Sequence, residues 1–134
     1  MKYTEGSIGR IFVLRLEDGD TIPQIIEDFA SNKSISSGLV FFLGGADKGS
    51  KVIVGPQDGT VKKPIAIIKE LHGASEAMGM GTIFLNGENI PKLHLHSTFG
   101  RCLETITGCT REGVSIWKIG EIVILEMLNI SARR

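Results

Sequence analysis

The chain has 134 residues, of which 42% are hydrophobic and 22% charged, and its 15 basic and 15 acidic side chains cancel to a net charge of zero. That length and composition suit one domain over residues 1–134 with a buried core, and argue against disorder. The balance lacks the basic excess of a protein that grips DNA through phosphates, and no run approaches the ~18 apolar residues of a membrane span. Met1 to Ser7 carries no signal-peptide pattern, so a cytoplasmic protein is expected. In a reducing cytosol Cys102 and Cys109 suit free thiols or a metal ligand better than a disulfide.

In chain order, Ile8–Leu16 reads as a strand and Glu17–Asp20 as a turn. Thr21 is the expected N-cap of a helix with Pro23 in its first turn, carrying Ile22, Ile25, Ile26 and Phe29 and ending near Asn32–Lys33. Ser37–Ala46 reads as a buried strand closed by Gly44-Gly45, which suits a bulge or bend and lacks phosphate-loop spacing. Lys51–Gly55 is expected to pair next as a hairpin, and Pro64–His72 is the following strand. Gly73–Gly81 reads as a glycine-punctuated connection, and Thr82–Leu85 as a short strand. Asn86-Gly87 is a turn, extended through Pro91, into the strand Lys92–Arg101. Leu103–Cys109, Val114–Ile119 and Glu121–Leu128 complete the set, the last favoured as strand by its β-branched content. One principal helix among many short strands gives an α/β (α+β) fold, mainly antiparallel sheet.

The chemistry concentrates in Leu93-His94-Leu95-His96-Ser97-Thr98-Phe99. Alternation in a strand puts Leu93, Leu95 and Phe99 on one face and His94, His96 and Thr98 on the other. Imidazoles at i and i+2 lie about 7 Å apart at their backbones and can converge on one metal ion. His72 is the chain's third histidine and the expected third ligand, from a neighbouring strand, which would leave a fourth position for water or substrate. Cys109 is a candidate soft fourth ligand, favouring zinc over other divalent transition metals. Glu70 and Glu76 flank His72 and could orient an imidazole or act as base to a metal-bound water. The cupin pattern does not fit, because Gly100 and Arg101 stand where its glutamate should be and no histidine follows His96.

Across residues 8 to 128 the chain resembles the PPC (plants and prokaryotes conserved) domain, also called PD1-like or AT-hook-associated. The resemblance runs through Gly9–Leu16, Asp20, the helix Thr21 to Ala30, Ser37-Gly38-Leu39-Val40 and Gly45-Ala46. It continues through Pro64-Ile65 to Leu71-His72-Gly73, the Pro91-Lys92-Leu93-His94-Leu95-His96 strand, Gly108, Gly113 and Glu121–Ile124. It implies a mainly antiparallel α/β domain assembled as a homotrimer, with a metal site near the H-x-H pair in some prokaryotic members. It also brings a DNA-binding label, inherited largely from plant relatives with separate AT-hooks. This chain has no Arg-Gly-Arg-Pro segment, so the label transfers poorly. Two departures matter. The family's G-G-H segment reads Thr107-Gly108-Cys109, and His72 stands where the family has a small serine, so one ligand lost and one gained could rebuild the site. Three function classes follow: a metal-binding or DNA-associated module, a metal-dependent enzyme acting on a small molecule, and a structural trimer stapled by metal.

Overall fold

The computed structural model describes residues 1–134. Its elements are β1 (Ser7–Glu17), β2 (Thr21–Ile22), α1 (Gln24–Asn32), β3 (Ser37–Ala46), β4 (Lys51–Pro56), β5 (Ala66–Glu70), β6 (Ser75–Leu85), β7 (Pro91–Arg101), β8 (Glu104–Cys109) and β9 (Val114–Leu128). All strand pairs are antiparallel, in one nine-stranded sheet ordered β1-β9-β3-β6-β7-β8-β4-β5, with β2 on β9 beside that path. The expected α+β class, mainly antiparallel with a single helix, is what the chain adopts. No helix is long and apolar enough to cross a membrane.

Alternation sorts the strands into two faces. The inward face buries Val40 and Phe42 of β3, Ile83 of β6, Leu93, Leu95 and Phe99 of β7, and Ile122 and Ile124 of β9. Helix α1 contributes Ile26 and Ala30 to this core, and Phe29 packs edge-on against Phe12 of β1 at 5.3 Å between ring centroids. The outward face carries Ile11 and Val13, then Phe41 and Leu43, then Met78 and Met80, all exposed. Cross-strand register makes these neighbours: Val13 faces Val123, Val123 faces Phe41, Phe41 faces Met80, and Met80 faces His96. One continuous apolar surface therefore leads to the histidine strand.

Four expectations need correction. Thr21 does not cap the helix. It pairs with Ser115 as part of β2, and Pro23 takes the N-cap position with no side-chain cap. The hairpin partner of β4 is β5, which follows it, because β3 is already flanked by β9 and β6. Gly73–Gly81 is largely strand, the first half of β6. Its glycines are there because β6 and β7 approach closely: a Cβ at Gly81 would run into the carbonyl of His94. The two closing runs are a single strand, β9. Its register against β3 slips where Gly44 faces Gly120 and Gly45 faces Trp117, so Gly44-Gly45 mark a bulge, as expected.

Candidate metal centre

Strand β7 is held at its centre by β6 on one side, Thr82 opposite His94 and Met80 opposite His96. On the other side β8 covers it only from His96 to Arg101. The uncovered stretch is satisfied by other means. Glu27 of α1 accepts from the Leu93 N–H at 3.0 Å and pairs with Lys92 Nζ at 2.6 Å. The Thr110 N–H donates to the Leu95 carbonyl at 3.0 Å, and its hydroxyl does so at 3.2 Å. These bonds fix the histidine strand where the sheet ladder stops, as buried polar groups require.

The parity reading of β7 holds. Leu93, Leu95 and Phe99 are buried, and His94 is half-buried and His96 exposed on the opposite face. Their Nε2 atoms approach to 3.0 Å, with ring centroids 4.8 Å apart and planes at 78°. Cys109 ends β8 directly opposite His96. The donor atoms of His94, His96 and Cys109 all lie within 4.8 Å of one another. In a tetrahedral zinc site, metal–nitrogen bonds of about 2.0–2.1 Å place two nitrogens about 3.3 Å apart. Two imidazoles and one thiol at this spacing fit a borderline-soft divalent ion, with room for a further ligand.

Burial comes first in holding the His94 pKa below the ordinary histidine value, followed by the positive charges of Arg134, His96 and Arg111. His94 is accordingly held toward the neutral form that metal ligation needs.

His72 does not join this group. It is exposed, just past the end of β5, beside a small cavity lined by Leu71, Ser75, Phe99, Arg101 and Glu104. The chain leaves β5 at Glu70 and crosses to the Phe99–Arg101 end of β7, while His94 and His96 stand farther back along that strand. Glu70 faces Lys51 on β4, and Glu76 faces Gly100 near the far end of β7, so neither reaches the cluster. Cys102 is an exposed free thiol and Cys109 a buried one, as expected of unpaired cysteines. The sequence reading missed Arg111, in the turn after β8. It lines a cleft of about 460 Å³ together with His96, Cys109, Val54, Pro56 and Ala66. Its one sequence signal was its place two residues after Cys109.

The family model of the Plants and Prokaryotes Conserved (PCC) domain matches residues 3–128. The chain belongs to this family. It is the one the sequence resembled, under its other abbreviation. Among solved structures, the PCC chain is similar to a metal-containing protein of Archaeoglobus fulgidus, with 24% identity and a TM-score of 0.85, covering 100% of this chain and 91% of that one. It is similar to a plant- and prokaryote-conserved (PPC) protein of Pyrococcus horikoshii, with 20% identity and a TM-score of 0.86 over 100% and 90% of the two chains. It is also similar to a "putative DNA-binding protein" of Ralstonia eutropha JMP134, with 20% identity and a TM-score of 0.68 over 86% and 76%. At these identities the likeness is one of fold. No curated protein matches the PCC chain.

Proposed function

We propose that this PCC chain binds a divalent transition metal ion, zinc by the softness of its donors, through His94, His96 and Cys109. The observation that carries the reading is the approach of the three donor atoms to within 4.8 Å. A three-residue set leaves a coordination position for water or a ligand, the arrangement of catalytic rather than closed structural zinc sites. The metal-containing relative from Archaeoglobus fulgidus supports it. His72 lies outside this set. Elemental analysis of the purified protein beside the His94→Ala/His96→Ala variant tests it: equal metal content in both would end the reading.

Assembly as a homotrimer belongs to the same proposal. It is supported by the apolar outward face, where Met78 and Met80 are 66% and 59% exposed, since monomers rarely leave such a continuous surface to water. The number three comes from the family resemblance.

One observation favours a second reading, a metal-dependent enzyme acting on a small molecule. The cleft beside His96 and Cys109 is of the size that small-molecule sites have. The DNA-associated reading has less support, because the charge is balanced and no AT-hook segment is present.

A further inference from the structure

Two arginines stand beside the histidine–cysteine centre, neither in an ion pair with a carboxylate. Arg111 is the one charged side chain lining the cleft that His96 and Cys109 border. Arg134 lies on the His94 side. Its guanidinium donates to the carbonyl and hydroxyl of Thr82 at 3.0 and 2.8 Å, and Thr82 is the cross-strand partner of His94. It also rests against the ring of Phe84, 5.9 Å from the centroid. The ion pairs of the structure are Arg10–Glu126, Arg15–Glu17 and Lys92–Glu27, so neither arginine has an acidic partner within 4.0 Å. The two feel each other: burial and then the charge of Arg111 lower the Arg134 pKa, against a smaller opposing pull from Cys109 and Glu27. A bound divalent cation would add to this positive field beyond what a Cys109 thiolate offsets, and an anion seated there would relieve it.

The walls of the cleft say what kind of anion. Beyond Arg111, its surface passes over Ile53, Val54, Pro56, Pro64 and Ala66. The Thr107 hydroxyl, also on the wall, is already engaged with that of Thr98 at 2.9 Å. An inorganic oxyanion would use the cationic end and leave this apolar wall in water. A planar carboxylate matches a guanidinium fork, and a hydrocarbon body would cover the wall.

We infer that the site takes a small organic carboxylate, its acid group held between Arg111, Arg134 and the metal centre and its apolar body lying along Val54, Pro56, Pro64 and Ala66. This rests on the proposed metal centre for one of its three anchors, while the arginines and the cleft are independent of it.

The test is isothermal titration of the cobalt(II)-loaded protein with acetate, hexanoate and inorganic phosphate, with cobalt content measured on the same samples. Hexanoate should bind about tenfold or more tightly than acetate, since a few buried methylenes at ~0.8 kcal/mol each suffice. Arg111→Ala should weaken hexanoate by about tenfold, the worth of one charge-assisted bond, with cobalt content unchanged. Arg134→Ala should weaken both acids alike. Ala66→Trp, which fills the cleft from an exposed position, should abolish the advantage of hexanoate and spare acetate. Hexanoate no tighter than acetate, phosphate tighter than either, or binding indifferent to Arg111 overturns the inference. Cobalt retained without Arg111-dependent binding sinks this inference alone. Arg111-dependent hexanoate binding without cobalt sinks the metal reading alone.

Discussion

Cys109 sits directly across the β7–β8 ladder from His96, so a thiol and an imidazole share one face of the sheet at the point where the ladder ends. Cross-strand neighbours lie only about 5 Å apart at Cβ, close enough for both to reach one ion. His94, next along the same face, brings its Nε2 to 3.0 Å from that of His96.

This register sets the ligand assignment apart from the alternatives. His94→Ala or His96→Ala should abolish metal binding, and Cys109→Ser should weaken it. His72→Ala should leave it unchanged, because His72 lies beside Phe99 and Arg101 at the far end of β7, outside the His94–His96–Cys109 cluster. Binding should weaken as pH falls below about 6.5, where an ordinary imidazole protonates. The lowered His94 pKa carries its share of that loss to lower pH than an unperturbed histidine would give. Elemental analysis across the variant set and across pH checks all four expectations.

The apolar outward face makes a separate prediction. Met80→Glu or Phe41→Asp places a charge where Phe41 and Met80 face each other across β3 and β6. Burying an unpaired charge costs several kcal/mol, so either variant should shift the assembly to monomer at micromolar concentration. Light scattering reads this directly, and a monomer mass for the unsubstituted protein would end the trimer proposal.

With zero net charge and only the short basic pairs Lys62-Lys63 and Arg133-Arg134, the isolated protein should not bind random duplex DNA tightly at physiological salt. Such binding depends on counterion release by clustered cations. A mobility-shift titration at two salt concentrations checks it, and nanomolar affinity near physiological salt would overturn it.

Acid stability should trace to Glu126 on β9. Its oxygens accept from Arg10 Nε at 2.7 Å, Arg10 NH2 at 2.7 Å and the Arg10 backbone N–H at 3.1 Å. The Arg10 side-chain bonds lead in drawing its pKa from 4.5 down to about 2. Between those values the unfolded chain binds the proton that the folded chain refuses, so stability is present above pH 4.5 and is lost as pH falls toward about 2. Glu126→Gln should flatten that slope and lower stability near neutrality only modestly, because the Arg10 side chain is half exposed and water screens the pair. Urea unfolding at several pH values, run on both proteins, measures both effects.

Features that depend on local geometry were legible in the residues alone. Alternation along β7 placed His94 and His96 together because side-chain direction in a strand is settled by parity alone. The helix stripe of Ile26 and Phe29, the Asn86 turn and the Gly44-Gly45 bulge were legible for the same reason: each is a property of a few consecutive residues. The tertiary structure decided which strands became neighbours. His72 and Cys109 were both candidates, but the register of β8 against β7 set Cys109 opposite His96, while the chain after β5 left His72 beside Phe99 and Arg101 at the far end of β7. Gly79 and Gly81 read as loop because the cause of their small size, the backbone of β7 pressing on β6, lies in another part of the chain. Arg111 and Arg134 came to the site only through the fold. Apart from Arg111 following Cys109 by two residues, nothing near either in the sequence marks it, since the closeness that matters is across strands and between the ends of elements far apart along the chain.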